Sequence, residues 1–89
     1  MMLRIERYSD RGGSTTIRLI GRLRAERLGE VQRQIDASGP NVTLDLEEVT
    51  LVDVDVVRFF GTCQRQGIEL VHCSPYIDNW IAKERSSER

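Results

Sequence analysis

The sequence has little of what catalytic and metal sites are commonly built from. Its 89 residues contain one histidine, His72, and two cysteines, Cys63 and Cys73. A single histidine excludes a multi-histidine metal site within one chain, and two cysteines are too few for a disulfide scaffold. Because free thiols are typical of a reducing compartment, we expect a cytoplasmic protein.

Long hydrophobic runs are also missing, because charged residues interrupt every apolar stretch. A membrane-spanning helix needs about 20 consecutive apolar residues, so we expect no membrane insertion. The first seven residues lack the apolar region and the cleavage site of a secretory signal. With 39% hydrophobic and 30% charged residues, the composition is that of one small soluble domain.

Neither sign of charge dominates, since 13 basic and 14 acidic residues leave a net charge of −1. This balance does not favour binding to nucleic acid. The distribution is uneven, because residues 41–78 hold seven acids against two arginines. Five of those acids lie close together: Asp45, Glu47, Glu48, Asp53 and Asp55. Such a segment fits a basic partner, a cation or simply the solvated rim of a loop.

Hydrophobic periodicity predicts two strands and a helix in the first half of the chain. Residues 3–8 and 15–20 are strand-like and flank a glycine-containing turn, which predicts a hairpin. From Ala25 to Ile35, apolar residues recur every three to four positions, as on one face of an amphipathic helix. The sequence Ser38-Gly39-Pro40 should end that helix.

The second half of the chain predicts two further strands and two helices. Alternation over residues 42–46 predicts a strand, and Asp53 is the expected N-cap of a helix that ends before Gly67. A fourth strand is expected from Ile68 to Cys73, buried on both faces at its centre, and Ser74-Pro75 should start the last helix.

Together these elements predict the order β-β-α-β-α-β-α. Helices between successive strands imply right-handed crossovers and parallel pairing. We therefore predict a small α/β domain, residues 1–83, with a four-stranded mixed sheet flanked by about three helices. Residues 84–89 have no apolar side chain and are predicted to form a flexible C-terminal tail.

No catalytic constellation is evident. Neighbouring residues of a strand point to opposite faces, so His72 and Cys73 should not pair, and Cys63 lies on an apolar helix face. A thiol-based redox protein is therefore only a distant alternative. The carboxylates of Asp53 and Asp55 are too few for a hard cation, so we expect no metal site, no cofactor and no enzyme activity.

The aromatic residues of the last helix allow two interpretations. Tyr76 and Trp80 could form an exposed aromatic patch. With Ile77 and Ile81 they also fit the apolar stripe of a helix that packs on the core.

The third strand and the start of the next helix resemble the STAS domain family, which includes bacterial anti-sigma factor antagonists and the C-terminal domains of sulfate transporters. The segment reads Val42-Thr43-Leu44-Asp45-Leu46-Glu47-Glu48-Val49-Thr50-Leu51-Val52-Asp53. It is similar to the family pattern xVxLDLSxVxFxD, which leads into a helix beginning Asp-Ser-Ser-Gly-Leu. Gly21-Arg22-Leu23 is similar to the family's exit from the second strand, and residues 67–75 to its passage into the third helix. The resemblance spans about residues 15–82.

The resemblance implies a binding module and not an enzyme. In the antagonists, the serine after the aspartate is phosphorylated by a partner kinase, which switches the complex off. Here Asp53 matches that aspartate, but Val54 stands at the phosphoacceptor position, Asp55 replaces the second serine and Val56 the glycine. Val54 has no hydroxyl, so no phosphorylation is expected there. Asp55 offers a fixed negative charge that could partly imitate it.

We therefore predict a protein-binding regulator resembling an anti-sigma factor antagonist without the serine switch. The expected partner is an anti-sigma factor of the serine kinase ATPase type. An accessory subunit of a lipid-transport ABC system, bound to the transporter ATPase, is an alternative, as is a structural or homo-oligomeric module. The predicted partner-binding residues are Glu47, Glu48, Asp53, Val54, Asp55, Val56 and Arg58.

Overall fold

A computed structural model describes residues 3–87 and shows the predicted order of elements. The elements are β1 (Arg4–Ser9), β2 (Thr15–Leu23), a 3-10 turn (Ala25–Arg27), α1 (Leu28–Ala37), β3 (Val42–Val52), α2 (Val54–Arg65), β4 (Glu69–Val71) and α3 (Pro75–Ser87). β1 and β2 are antiparallel, whereas β2, β3 and β4 are parallel. The predicted class, a small α/β domain with a four-stranded mixed sheet and three helices, is confirmed. Among the described helices, none has the length and apolar character needed to cross a bilayer.

The helices cover one face of the sheet. Because the strands lie in chain order across the sheet, both parallel crossovers advance in the same direction. Right-handed crossovers then place their helices on the same side. The burial of the strand residues confirms that only one face is covered. Ile17 and Leu44 are fully buried, whereas their strand neighbours Thr16, Arg18 and Asp45 remain partly exposed. We call the uncovered side, which carries those three neighbours, the open face.

The core lies between the covered face and the helices, and it follows the predicted periodicity. α2 buries the four residues of its predicted apolar face: Val56, Val57, Phe60 and Cys63. α3 buries Ile77 and Ile81. In α1, Val31 and Ile35 are buried, but Ala25 lies in the exposed 3-10 turn before the helix. The turn glycines Gly39 and Gly67 have φ angles of +87° and +89°, as expected after a helix C-terminus.

The fourth strand is shorter and more exposed than predicted. It spans only Glu69–Val71, pairs with β3 at three positions, and has no residue in the fully buried class. It lies at the edge of the sheet, so no strand within residues 3–87 pairs with its outer side. One of its two faces belongs to the open face of the sheet. The prediction of burial on both faces was therefore wrong.

The helix α3 continues to Ser87, so residues 84–87 of the predicted tail are helical. Polar contacts with α2 hold this last part of the helix. Arg58 Nε donates to Glu84 Oε1 at 3.0 Å, and Arg85 donates to Gln64 Oε1 at 3.2 Å. The spacing of apolar residues in the sequence cannot predict such polar contacts. The last two residues of the predicted tail, and the first two of the predicted domain, lie outside the described residues.

Candidate functional site

The start of α2 lies at the carboxyl edge of the parallel strands, where sites in α/β proteins are usually found. β3 ends at Val52, and α2 begins two residues later at Val54. The 3-10 turn after β2 and the start of α3 after β4 follow their strands in the same way. Three helical N-termini therefore follow the carboxyl ends of the three parallel strands.

Asp53 joins two of these segments. Its Oδ1 accepts a hydrogen bond from the backbone N–H of Val56 at 3.0 Å, which confirms the predicted N-cap of α2. Its Oδ2 accepts from the backbone N–H of Ala25, also at 3.0 Å. This second bond was not predicted. One carboxylate thus fixes the start of α2 against the segment that leaves β2.

Beside Asp53, two apolar side chains remain exposed to solvent. Val54 is 37% exposed and Leu51 is 45% exposed. A crevice of about 150 Å³ is lined by Leu51, Val52 and Asp53 together with Arg24. The exposed Asp55 lies in the first turn of α2. Leu51 and Arg24 were missed, although the break in alternation near the end of β3 was a signal for the exposure of Leu51.

The structure assigns different environments to the predicted partner-binding residues. Val54 and Asp55 are exposed as required, but Val56 is fully buried, because it lies on the face of α2 that packs on the core. Val56 is therefore removed from the predicted surface. Glu48 forms an ion pair with Arg18, and Arg58 is engaged with Glu84.

Glu47 lies in a separate cluster with Asp45 and His72. Asp45 Oδ1 accepts from the backbone N–H of Glu47 at 3.0 Å and lies 3.1 Å from His72 Nδ1. Burial by itself would raise the pKa of the Asp45 carboxyl. The hydrogen bonds from Glu47 and His72 and the charge of Arg18 outweigh it, so that pKa is lowered. His72 has a φ angle of 56°, in the left-handed region.

The aromatic residues of α3 combine both interpretations made from the sequence. Ile77 and Ile81 belong to the core, whereas Tyr76 is 69% exposed. The Tyr76 ring is in contact with the half-buried Trp80 ring, with 5.8 Å between their centroids. The exposed patch and the core stripe are thus adjacent faces of the same helix.

The two thiols are expected to react slowly in the native protein. Burial raises the pKa of Cys63 to about 11, and burial together with the charge of Asp78 raises the pKa of Cys73. Since the thiolate is the reactive form, both thiols should be almost fully protonated at neutral pH. Titration with a chromogenic disulfide reagent should show slow reaction, slowest at Cys63, and immediate reaction of both in denaturant. Fast native reaction of both thiols would support the redox alternative instead.

The chain was compared with family models and with curated proteins. No family model matches the chain, and no curated protein matches it. The geometry of the α2 start and the motifs of the third strand are therefore the features on which a function can be proposed.

Proposed function

We propose that the protein is a non-enzymatic regulator that docks on a partner protein through the start of α2. The observation that carries the proposal is the exposure of Leu51 and Val54 next to the capped start of α2. Protein interfaces typically combine a small apolar centre with a charged rim. Here the apolar centre is Leu51 and Val54, and Asp55 supplies the rim. The resemblance to STAS domains supports the same location.

The charge of this surface suggests the chemistry of the partner. Asp55 is exposed in the first turn of α2, where the helix dipole stabilises a carboxylate. A partner surface with an apolar pocket bordered by arginine or lysine would complement it. An anti-sigma factor of the serine kinase ATPase type is the partner class we propose, with a transporter ATPase as the alternative.

Regulation of this docking should not depend on phosphorylation at the start of the helix. Val54 occupies the position at which STAS antagonists carry the phosphoacceptor serine. The carboxylate of Asp55 supplies a negative charge at the helix start without any modification. We therefore propose that complex formation is set by the concentrations of the two proteins.

The proposal is tested by identifying the partner. The tagged protein is purified from its own host under mild conditions, and mass spectrometry identifies the proteins that are retained. Recovery of a kinase-like ATPase or of a transporter ATPase supports the regulator and distinguishes its two forms. Recovery of the protein alone contradicts the proposal and favours a structural or homo-oligomeric module.

Reversing the charge of Asp55 is expected to weaken partner binding at least tenfold, about 1.4 kcal/mol, with a much smaller effect on the melting temperature. The matched control is Asp78→Lys, because Asp78 lies in the first turn of α3 and its replacement also removes an acid near a helix N-terminus. Binding to the purified partner is measured by calorimetry. Equal affinities of Asp55→Lys and the unmodified protein, or unfolding of the variant, would remove the main support for docking at this surface.

A further inference from the structure

The open face of the sheet carries one cluster of metal-ligating side chains that docking does not explain. Within the described residues, Asp45, Glu47 and His72 each offer one ligand atom, and these atoms lie within 4.8 Å of one another. We propose that these three side chains bind one divalent transition-metal cation of the Zn²⁺ type. The proposal is independent of partner docking, because it concerns the protein alone.

The strands bring the three side chains together. Asp45 of β3 pairs with Val71 of β4, so the residue that follows β4, His72, lies beside Asp45. The register between β2 and β3 shifts directly after Asp45, since Arg18 pairs with Asp45 but Ile20 pairs with Glu48. β3 thus contains one residue more than β2 at this irregularity. Such a bulge re-aims side chains, and Glu47 is exposed beside Asp45.

The distance between the His72 and Asp45 ligand atoms suits a transition-metal cation. Transition metals such as Zn²⁺ bind imidazole nitrogen and carboxylate oxygen at about 2.0–2.2 Å. Two such ligands are about 3.0 Å apart when they meet the metal at a right angle and about 3.4 Å apart at the tetrahedral angle typical of Zn²⁺. The observed distance from His72 Nδ1 to Asp45 Oδ1 is 3.1 Å. The spacing of these two atoms therefore allows both to bind one cation.

The neighbouring groups support a bound cation. The N–H of Glu47 already holds Asp45 Oδ1, as outer hydrogen bonds do for metal-ligating carboxylates. The opposing charge is Arg18, whose guanidinium pairs with Glu48. The carboxylates of Asp45, Glu47 and Glu48 and the one guanidinium of Arg18 give this part of the open face a charge of −2. The field at the cluster therefore attracts cations.

The ligand set indicates the class of cation. One imidazole nitrogen and two carboxylate oxygens suit zinc, cobalt or manganese, whereas Ca²⁺ takes six to eight oxygen ligands and Mg²⁺ retains most of its water. The His72 side chain is 60% exposed, so water or a ligand from another molecule can complete the coordination. We therefore expect transition metals to bind in preference to Ca²⁺ and Mg²⁺.

Calorimetric titration of the metal-free full chain with Zn²⁺, repeated with Co²⁺, tests the site. One equivalent should bind, and excess Ca²⁺ or Mg²⁺ should not compete. His72→Gln and Glu47→Gln should each weaken binding at least tenfold. Glu47→Gln changes an exposed side chain, so it tests the site even where His72→Gln disturbs the fold.

Two matched controls identify the ligands. Cys73→Ser removes the thiol next to His72, and Glu69→Gln neutralises an acid of the neighbouring strand β4 that lies outside the cluster. Both should bind Zn²⁺ as the unmodified protein does. Loss of binding in Cys73→Ser would assign the metal to a thiol and overturn the proposal. The proposal is also overturned if no heat is observed, or if Glu47→Gln and His72→Gln both bind normally.

Discussion

Replacing Phe60 with alanine is expected to lower the free energy of unfolding by about 3–5 kcal/mol. Phe60 is 0% exposed and lies in the middle of the buried face of α2. Its removal loses the apolar contacts of the ring and leaves a cavity that the surrounding core fills only in part. Small domains have a total stability of about 5–15 kcal/mol, so a large part of it should be lost. Urea denaturation followed by circular dichroism measures the change.

The neighbouring phenylalanine provides the matched control. Phe59 is only half-buried at the edge of the same core, and its ring centroid is 6.2 Å from that of Phe60. Phe59→Ala removes the same number of atoms but leaves a site that water can fill. The free energy of unfolding should therefore decrease clearly less in Phe59→Ala than in Phe60→Ala. Equal losses at the two positions would show that the core does not centre on Phe60 as described.

Replacing Asp53 with alanine is expected to destabilise the domain by about 1–3.5 kcal/mol, since an N-cap contributes about 0.5–2 kcal/mol and a further exposed hydrogen bond about 0.5–1.5 kcal/mol. The substitution removes the acceptors of both the Val56 and the Ala25 backbone N–H groups. Asp53→Asn keeps one acceptor oxygen and loses the other. The decrease in the free energy of unfolding of Asp53→Asn should therefore be smaller than that of Asp53→Ala. Thermal and urea denaturation measure both decreases.

Asp55→Asn serves as the control for this series. It removes a charge from the same helix turn without touching a cap hydrogen bond, so only a fraction of the effect of Asp53→Ala is expected. A melt of Asp53→Ala identical to that of the unmodified protein would show that the carboxylate does not cap α2 in solution. Asp53→Asn as stable as the unmodified protein would show that one of the two hydrogen bonds contributes nothing.

Features set by local sequence could be predicted well. The helical period of α2 identified Val56, Val57 and Phe60 as core residues, and the cap by Asp53 joins atoms only three residues apart. Val56 was also placed in the partner surface, on the basis of the motif. Val56 is buried, as the helical period predicts. The spacing of apolar residues determines which face of a helix is buried, and position in a motif does not.

Features set by position in the sheet could not be predicted. The alternation of Ile68 and Leu70 suits a central or an edge strand equally well, and only the strand order makes β4 an edge. The bond from Ala25 to Asp53 joins residues 28 apart, and the contact of His72 with Asp45 joins residues 27 apart. Both depend on which strands are neighbours and in which register, and no local pattern encodes that.

The order β1-β2-β3-β4 also has a consequence for how the chain assembles as it is synthesised. Each new strand pairs at the edge formed by the strand made just before it. No strand has to insert between two that are already paired, and no earlier pairing has to open. Because domains begin to fold from their N-terminal part as they emerge from the ribosome, the sheet can grow in one direction, from the hairpin towards β4, at the pace of translation.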